Sequence, residues 1–187
     1  MANTTFTGPV RSENGFEVIS KNATSGTVTT SFTVDSTGIS SSTFAYGDTG
    51  VVVTPVSVAD GDATITAAAN AGRVNLVPDP TQDNTYTLPT PEAGVAYRFV
   101  FAGAAAASFD VIFDTGDDAN FFIGAVTFLD TDNEVSVVGS DGDSNSIFQI
   151  NVPAAFDVTF LGLDDTNYQI FGTVTSATAP AFADQTP

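Results

Sequence analysis

Between Val74 and Leu129 the chain repeats one pattern: apolar and polar residues alternate, and each run stops at a cluster of turn-forming residues. A period of two is that of a β-strand, whose successive side chains point to opposite faces. Tyr86 and Leu88 precede a PTPEAG turn. Val95, Tyr97, Phe99 and Phe101 then share one face of a strand, with Ala96, Arg98 and Val100 on the other. After the small-residue corner AGAAAAS, Phe109, Val111 and Phe113 share a face opposite Asp110, Ile112 and Asp114. The turn TGDDAN leads into 121–129, which is apolar on both faces: Phe121, Ile123 and Ala125 against Phe122, Val126 and Phe128. Such a strand is expected centrally in its sheet, covered on both sides. The stretch reads as the heart of a β-sandwich.

Further strands are expected at 27–34 (Val28, Phe32 and Val34 on one face), 51–58, 63–67, 134–138, 147–152, 155–163 and 168–176. In the last of these Tyr168, Ile170 and Val174 share a face. Pro55 cannot donate to a ladder, so 51–58 belongs at an edge or a bulge. Residues 66–72 suit one helical turn, too short to be stable alone. No run keeps helical periodicity over eleven residues, and no short-period repeat is present. The expected fold is all-β: an antiparallel β-sandwich, jelly-roll-like, with an extended N-terminal arm. Its divisions are the arm at 1–25, an N-terminal β-strand region at 26–70 that packs on or precedes the main module, the main sandwich module at 71–176, and a surface-draped or disordered tail at 177–187. The arm's alternative is a frayed first strand packed on its own domain.

The 187 residues can bury roughly 70% of the unfolded chain's surface, so no staple is required. The chain has no Cys, which rules out disulfides and zinc–thiolate sites. Its 16 Phe are the main expected source of core stability, at about 1.5–3 kcal/mol for each one buried. The formal charge is −18, from 22 acids against Arg11, Lys21, Arg73 and Arg98. Phosphate neutralisation needs clustered Lys and Arg, so nucleic acid is not an expected partner, and neither is an anionic membrane surface. No segment approaches the roughly 20 apolar residues of a membrane span. The N-terminus lacks the apolar core of a secretion signal, so the sequons at Asn3 and Asn22 read as coincidence. Self-repulsion at this charge is tolerable in a saline setting, where the Debye length drops from roughly 8 Å towards 3 Å at 1 M.

Without His or Cys the usual bases and thiolate nucleophiles are missing. The acids cluster in turns, where solvent keeps them ionised. A non-enzymatic protein without a cofactor is expected. Two acidic turns carry calcium-like spacing. Asp141, Asp143 and Asn145 follow the 1-3-5 rule of an EF-hand loop, but Ser146 stands at the glycine position and Val152 at the bidentate Glu. Asp130, Asp132 and Glu134 repeat the spacing with Val135 in place of the glycine. Both depart from the EF-hand, so these six are weak metal candidates; Asp and Asn in turns commonly cap the turn themselves. Arg98, alone among the bases in a core-flanking strand, is expected to meet a cross-strand carboxylate.

The segments FTGPVRSENGF (6–16), ANAGRVNLVPD (69–79) and TYTLPTPEAGVAYRFVFAGAAAAS (85–108) resemble structural proteins of marine tailed bacteriophages, cyanophages in particular. In that setting they look like capsid decoration or knob proteins, or related head appendages. The resemblance spans roughly the first 20 residues and most of 70–176, and it carries no catalytic residues. It implies a virion component on the outer capsid surface, made in the host cytoplasm, with the major capsid protein as partner and a homo-oligomeric state, a trimer suiting threefold lattice positions. The arm's Phe6, Val10, Arg11, Phe16 and Lys21 are the candidate contacts to shell or sister subunits. Two alternatives stand beside this: a fibre-like appendage binding a host-surface glycan or protein, and a bacterial surface module carrying calcium.

Overall fold

The computed structural model describes residues 54–104, 108–132 and 134–185, together with 16–21, 24–25, 28–35 and 38–41. The chain divides into two units, Met1–Val53 and Thr54–Pro187. In the first, β1 (Phe16–Lys21), β2 (Val28–Asp35) and β3 (Gly38–Ser41) form an antiparallel sheet in that order. Part of the expected arm is thus a paired strand, while Phe6, Val10 and Arg11 lie outside the described residues.

The second unit contains β4 (Val56–Ser57), β5 (Ala63–Thr64), α1 (Ala67–Asn70), β6 (Val74–Val77), β7 (Asn84–Thr87), β8 (Ala96–Phe101), β9 (Val111–Asp114), β10 (Phe121–Asp130), β11 (Val135–Gly139), β12 (Ile147–Ile150), β13 (Pro153–Gly162), β14 (Asn167–Ser176) and β15 (Ala181–Ala183). They form a seven-stranded sheet, β11-β10-β14-β13-β8-β6-β4, and a five-stranded sheet, β15-β12-β9-β7-β5. The all-β sandwich is therefore present. Its pairing is mixed where an antiparallel, jelly-roll-like arrangement was expected. Among the described residues β10·β14, β6·β8, β4·β6, β7·β9 and β5·β7 run parallel, and the other pairs of this unit run antiparallel. The reason is connectivity. From β4 to β9 the chain steps alternately between the two sheets, so successive strands of one sheet enter it in the same direction.

The core fills by the alternation seen in the sequence. Tyr97 and Phe99 of β8, Phe156, Val158 and Phe160 of β13, and Tyr168, Ile170 and Val174 of β14 point inward. They meet Tyr86, Val111, Phe113, Phe148 and Ile150 of the five-stranded sheet. Phe113 is central, its ring 4.8 Å from Phe99 and 4.9 Å from Phe160 by centroid. These tilted contacts suit rings with electron-rich faces and electron-poor edges. The buried phenols also have partners: the Tyr86 hydroxyl donates to the Ala59 carbonyl at 2.9 Å, and that of Tyr168 to the Pro89 carbonyl at 2.8 Å.

Three expectations change. The strand β10 is not central but second from the edge, with Phe122, Val126 and Phe128 buried and its other face only half covered. Within 177–187, Ala181–Ala183 pairs with β12, and the Phe182 ring sits 4.7 Å from Phe148, because the β12 edge still had unpaired backbone groups. Of the expected strand 51–58 the described part, 54–58, contains the short strand Val56–Ser57, at the sheet edge that Pro55 requires. The sheet change between β12 and β13 turns on Val152, at φ 44°, the one non-glycine residue with positive φ among those described. Its N–H donates to Asp110 Oδ1 at 2.9 Å, which holds the strained corner in place.

Candidate functional site

The acidic turns spend their oxygens on the backbone. Asp141 Oδ1 accepts from the N–H groups of Asp143, Ser144 and Asn145 at 3.2–3.3 Å, and its Oδ2 accepts from the Ser144 hydroxyl at 2.7 Å. These bonds hold the Asp141 carboxyl below its usual range, the Ser144 hydroxyl contributing most. Asn145 Oδ1 accepts from the Asp141 N–H at 2.9 Å, and its amide donates to Asp184 Oδ1 at 3.0 Å, tying this turn to the C-terminal segment. In the β10–β11 turn Asp130 Oδ1 accepts from the Asp132 N–H at 2.9 Å. Among the described residues no three Asp, Glu, His or Cys side chains come together to hold a metal ion. Asp130 ends β10, and Asp132, Glu134, Asp141, Asp143 and Asn145 lie in the turns that follow. Phe16 and Lys21 fall in the backbone of β1.

A second acidic knot joins the loops before β5 and β7. Asp60 accepts from the Thr81 N–H (3.1 Å), the Thr81 hydroxyl (2.7 Å) and the Asn84 amide (3.1 Å), which lowers its carboxyl's pKa, the Thr81 hydroxyl leading. Asn84 is fully buried, and its Oδ1 is the one buried side-chain polar atom among the described residues left without a partner.

The open face of the seven-stranded sheet is of another kind. Alternate residues of β8, β13 and β14 place Arg98, Asp157, Thr159, Phe171 and Thr173 there, around a shallow groove of about 400 Å³ floored by Gly172. Arg98 Nε donates to Asp157 Oδ1 at 2.8 Å and Nη2 to Oδ2 at 2.5 Å, the cross-strand carboxylate pair expected from the sequence. The pairing raises the guanidinium's pKa and lowers the carboxyl's, with the hydrogen bonds as the larger cause in each. Cross-strand register sets Thr159 opposite both Arg98 and Phe171, and Thr173 opposite Asp157. Phe171 is 47% exposed, the one exposed aromatic side chain among the described residues of 54–185. Gly172, at φ 147°, has no room for a side chain, since a Cβ there would run into the Asp157 carbonyl. Towards the free edge the same sheet exposes Leu129, Val135 and Val137.

Sequence reasoning singled out Arg98 but not Phe171 or Asn84. The exposure of Phe171 follows from the parity that buries Tyr168 and Ile170; the burial of Asn84 had no local signal. The chain matches no protein-family model, no curated protein and no solved structure. Among the described residues no helix is long and apolar enough to cross a membrane.

Proposed function

We propose that this protein is a non-enzymatic virion component that decorates the outer surface of a tailed-phage capsid, anchored through its N-terminal unit and displaying the sandwich of 54–187. The observation that carries this reading is how charge is divided between the two units. Residues 54–187 hold 18 acids against Arg73 and Arg98, whereas residues 1–53 hold four acids against Arg11 and Lys21. A strongly acidic module is poorly suited to lie against packaged nucleic acid and well suited to face a saline medium that screens it. In the described turns Asp60, Asp141 and Asp164 accept hydrogen bonds from backbone N–H groups, an arrangement that suits capping rather than the desolvated carboxyl pair of acid–base catalysis.

Immunogold labelling and cryo-electron microscopy of intact particles test this placement. Label and density over the head are expected; density confined to tail fibres would overturn it.

A further inference from the structure

We propose that the groove on the open face of the seven-stranded sheet is a binding subsite for a neutral saccharide. Phe171 is the platform for one sugar ring, and the Arg98–Asp157 pair meets its hydroxyls. The inference stands whether or not the chain sits on a virion.

Three observations converge on this chemistry. The first is Phe171 itself. Burying a Phe is strongly stabilising, and the other aromatic rings described in 54–185 are at least half buried. Phe171 instead presents nearly half of its surface and touches no other ring among the described residues. The electron-rich face of an aromatic ring complements the polarised C–H groups on the flat side of a pyranose.

The second is the ion pair. Its side chains are 51% and 42% exposed, so they line the groove rather than a core. Guanidinium has five N–H donors, and Asp157 engages only two of them. The remaining donors and the free carboxylate lone pairs lie side by side. A vicinal diol, which both donates and accepts, satisfies the two together. Because Arg98 and Asp157 already fix each other, a ligand pays little to order them.

The third is the lining between ring and ion pair. Thr159 and Thr173 stand in cross-strand register with Phe171 and Asp157, and neither hydroxyl has a hydrogen-bond partner among the described residues. The bare backbone of Gly172 keeps the floor open. A volume of about 400 Å³ lies in the lower part of the range of small-ligand sites, a size for one or two sugar units. Electrostatics selects among saccharides. The groove's two charges cancel, while the unit around it carries 18 acids against two bases, so uronate-rich and sulfated glycans are repelled. Cationic peptides would be drawn to the acidic turns rather than to this locally neutral patch.

The test is a ¹H–¹⁵N NMR titration of the full chain with hexasaccharides of glucose, mannose and N-acetylglucosamine, run beside alginate oligomers and oligolysine. At least one neutral oligosaccharide is expected to give saturable shifts at 98, 157–159 and 171–173, with a Kd of about 1 mM. Phe171→Ala is expected to weaken that binding about tenfold or more, with Phe171→Tyr restoring it and neither changing the circular dichroism. The proposal is overturned if no neutral saccharide saturates these positions, if Phe171→Ala binds as the parent does, or if oligolysine or alginate alone engages the groove.

Discussion

The two faces of the seven-stranded sheet are built by alternate residues of the same strands, yet they follow different rules. Inward, β13 presents Phe156, Val158 and Phe160, and β14 presents Tyr168, Ile170 and Val174, all buried against the second sheet. Outward, the same strands present Asp157, Thr159, Phe171 and Thr173. In a unit with 18 acids, only Asp130 and Asp157 lie within strands of this sheet, and Arg98 neutralises the second. Charge has been moved into the turns, where Asp and Asn cap backbone N–H groups. The inner face therefore carries the stability, the turns carry most of the charge, and the outer face stays exposed.

The contrast is sharpest at two phenylalanines. Phe113 projects from the five-stranded sheet onto that inner face and is fully buried, its ring against Tyr86, Phe99, Phe148, Phe156 and Phe160. Phe113→Ala would leave a cavity among close-packed rings and is expected to cost about 3–5 kcal/mol. Phe171→Ala, on the outer face, is expected to change stability by no more than about 1 kcal/mol. Urea denaturation of both variants checks this. Similar losses at the two positions would mean that the outer face is part of the core after all.

A pH series separates turns from core more gradually. In the turns and on the outer face, Asp60, Asp141, Asp157 and Asp164 have lowered pKa values through hydrogen bonds, Asp164 to about 2 with the Asn167 amide as its chief donor. Their stabilisation is fully present above the unfolded value of about 3.9, and is lost as pH falls through the folded values. Inside, burial raises the phenols of Tyr86 (to about 12), Tyr97 and Tyr168. Their contribution is complete below the ordinary tyrosine value of about 10 and is lost as pH rises towards the folded values. Urea midpoints are thus expected to hold a plateau through neutrality, sag below about pH 4 and fall again above about pH 10. Tyr86→Phe should shrink the alkaline limb and leave the acid limb unchanged. An acid limb that moved with Tyr86 would break the separation.

Periodicity made the inner face readable in advance. Tyr97, Phe99, Val111, Phe113, Tyr168, Ile170 and Val174 lie inside as their alternation requires, and Arg98 has its cross-strand carboxylate. What alternation does not encode is partnership. The parallel pairing of β10 with β14 joins Phe121 to Asn167 and Asp130 to Ser176 across three intervening strands, β11 to β13, and no local residue announces it. The placement of β10 misled for a related reason: Phe121, Ile123 and Ala125 are apolar, but an apolar face need not be covered by the chain that carries it. The 1-3-5 spacing of Asp141, Asp143 and Asn145 misled differently, since calcium loops and self-capped turns draw on the same short oxygen-bearing side chains. The groove was half readable, through Arg98 and the parity of Phe171. Its assembly needed the register that sets Thr159 between them.

The smallest effect is expected at the ion pair, and it separates a groove-lining role from a structural one. Arg98 and Asp157 are bidentate but well exposed, so water already solvates both, and breaking the pair strands no buried charge. A double-mutant cycle with Arg98→Ala and Asp157→Ala is expected to give a coupling of about 0.2–1 kcal/mol at low ionic strength. At about 1 M salt, where the Debye length shrinks to roughly 3 Å, part of that coupling should disappear. A coupling several times larger, and insensitive to salt, would show that the pair clamps β8 to β13. The outer face would then be a structural surface like the inner one, and the distinction between the two faces would fail at the residues that define the groove.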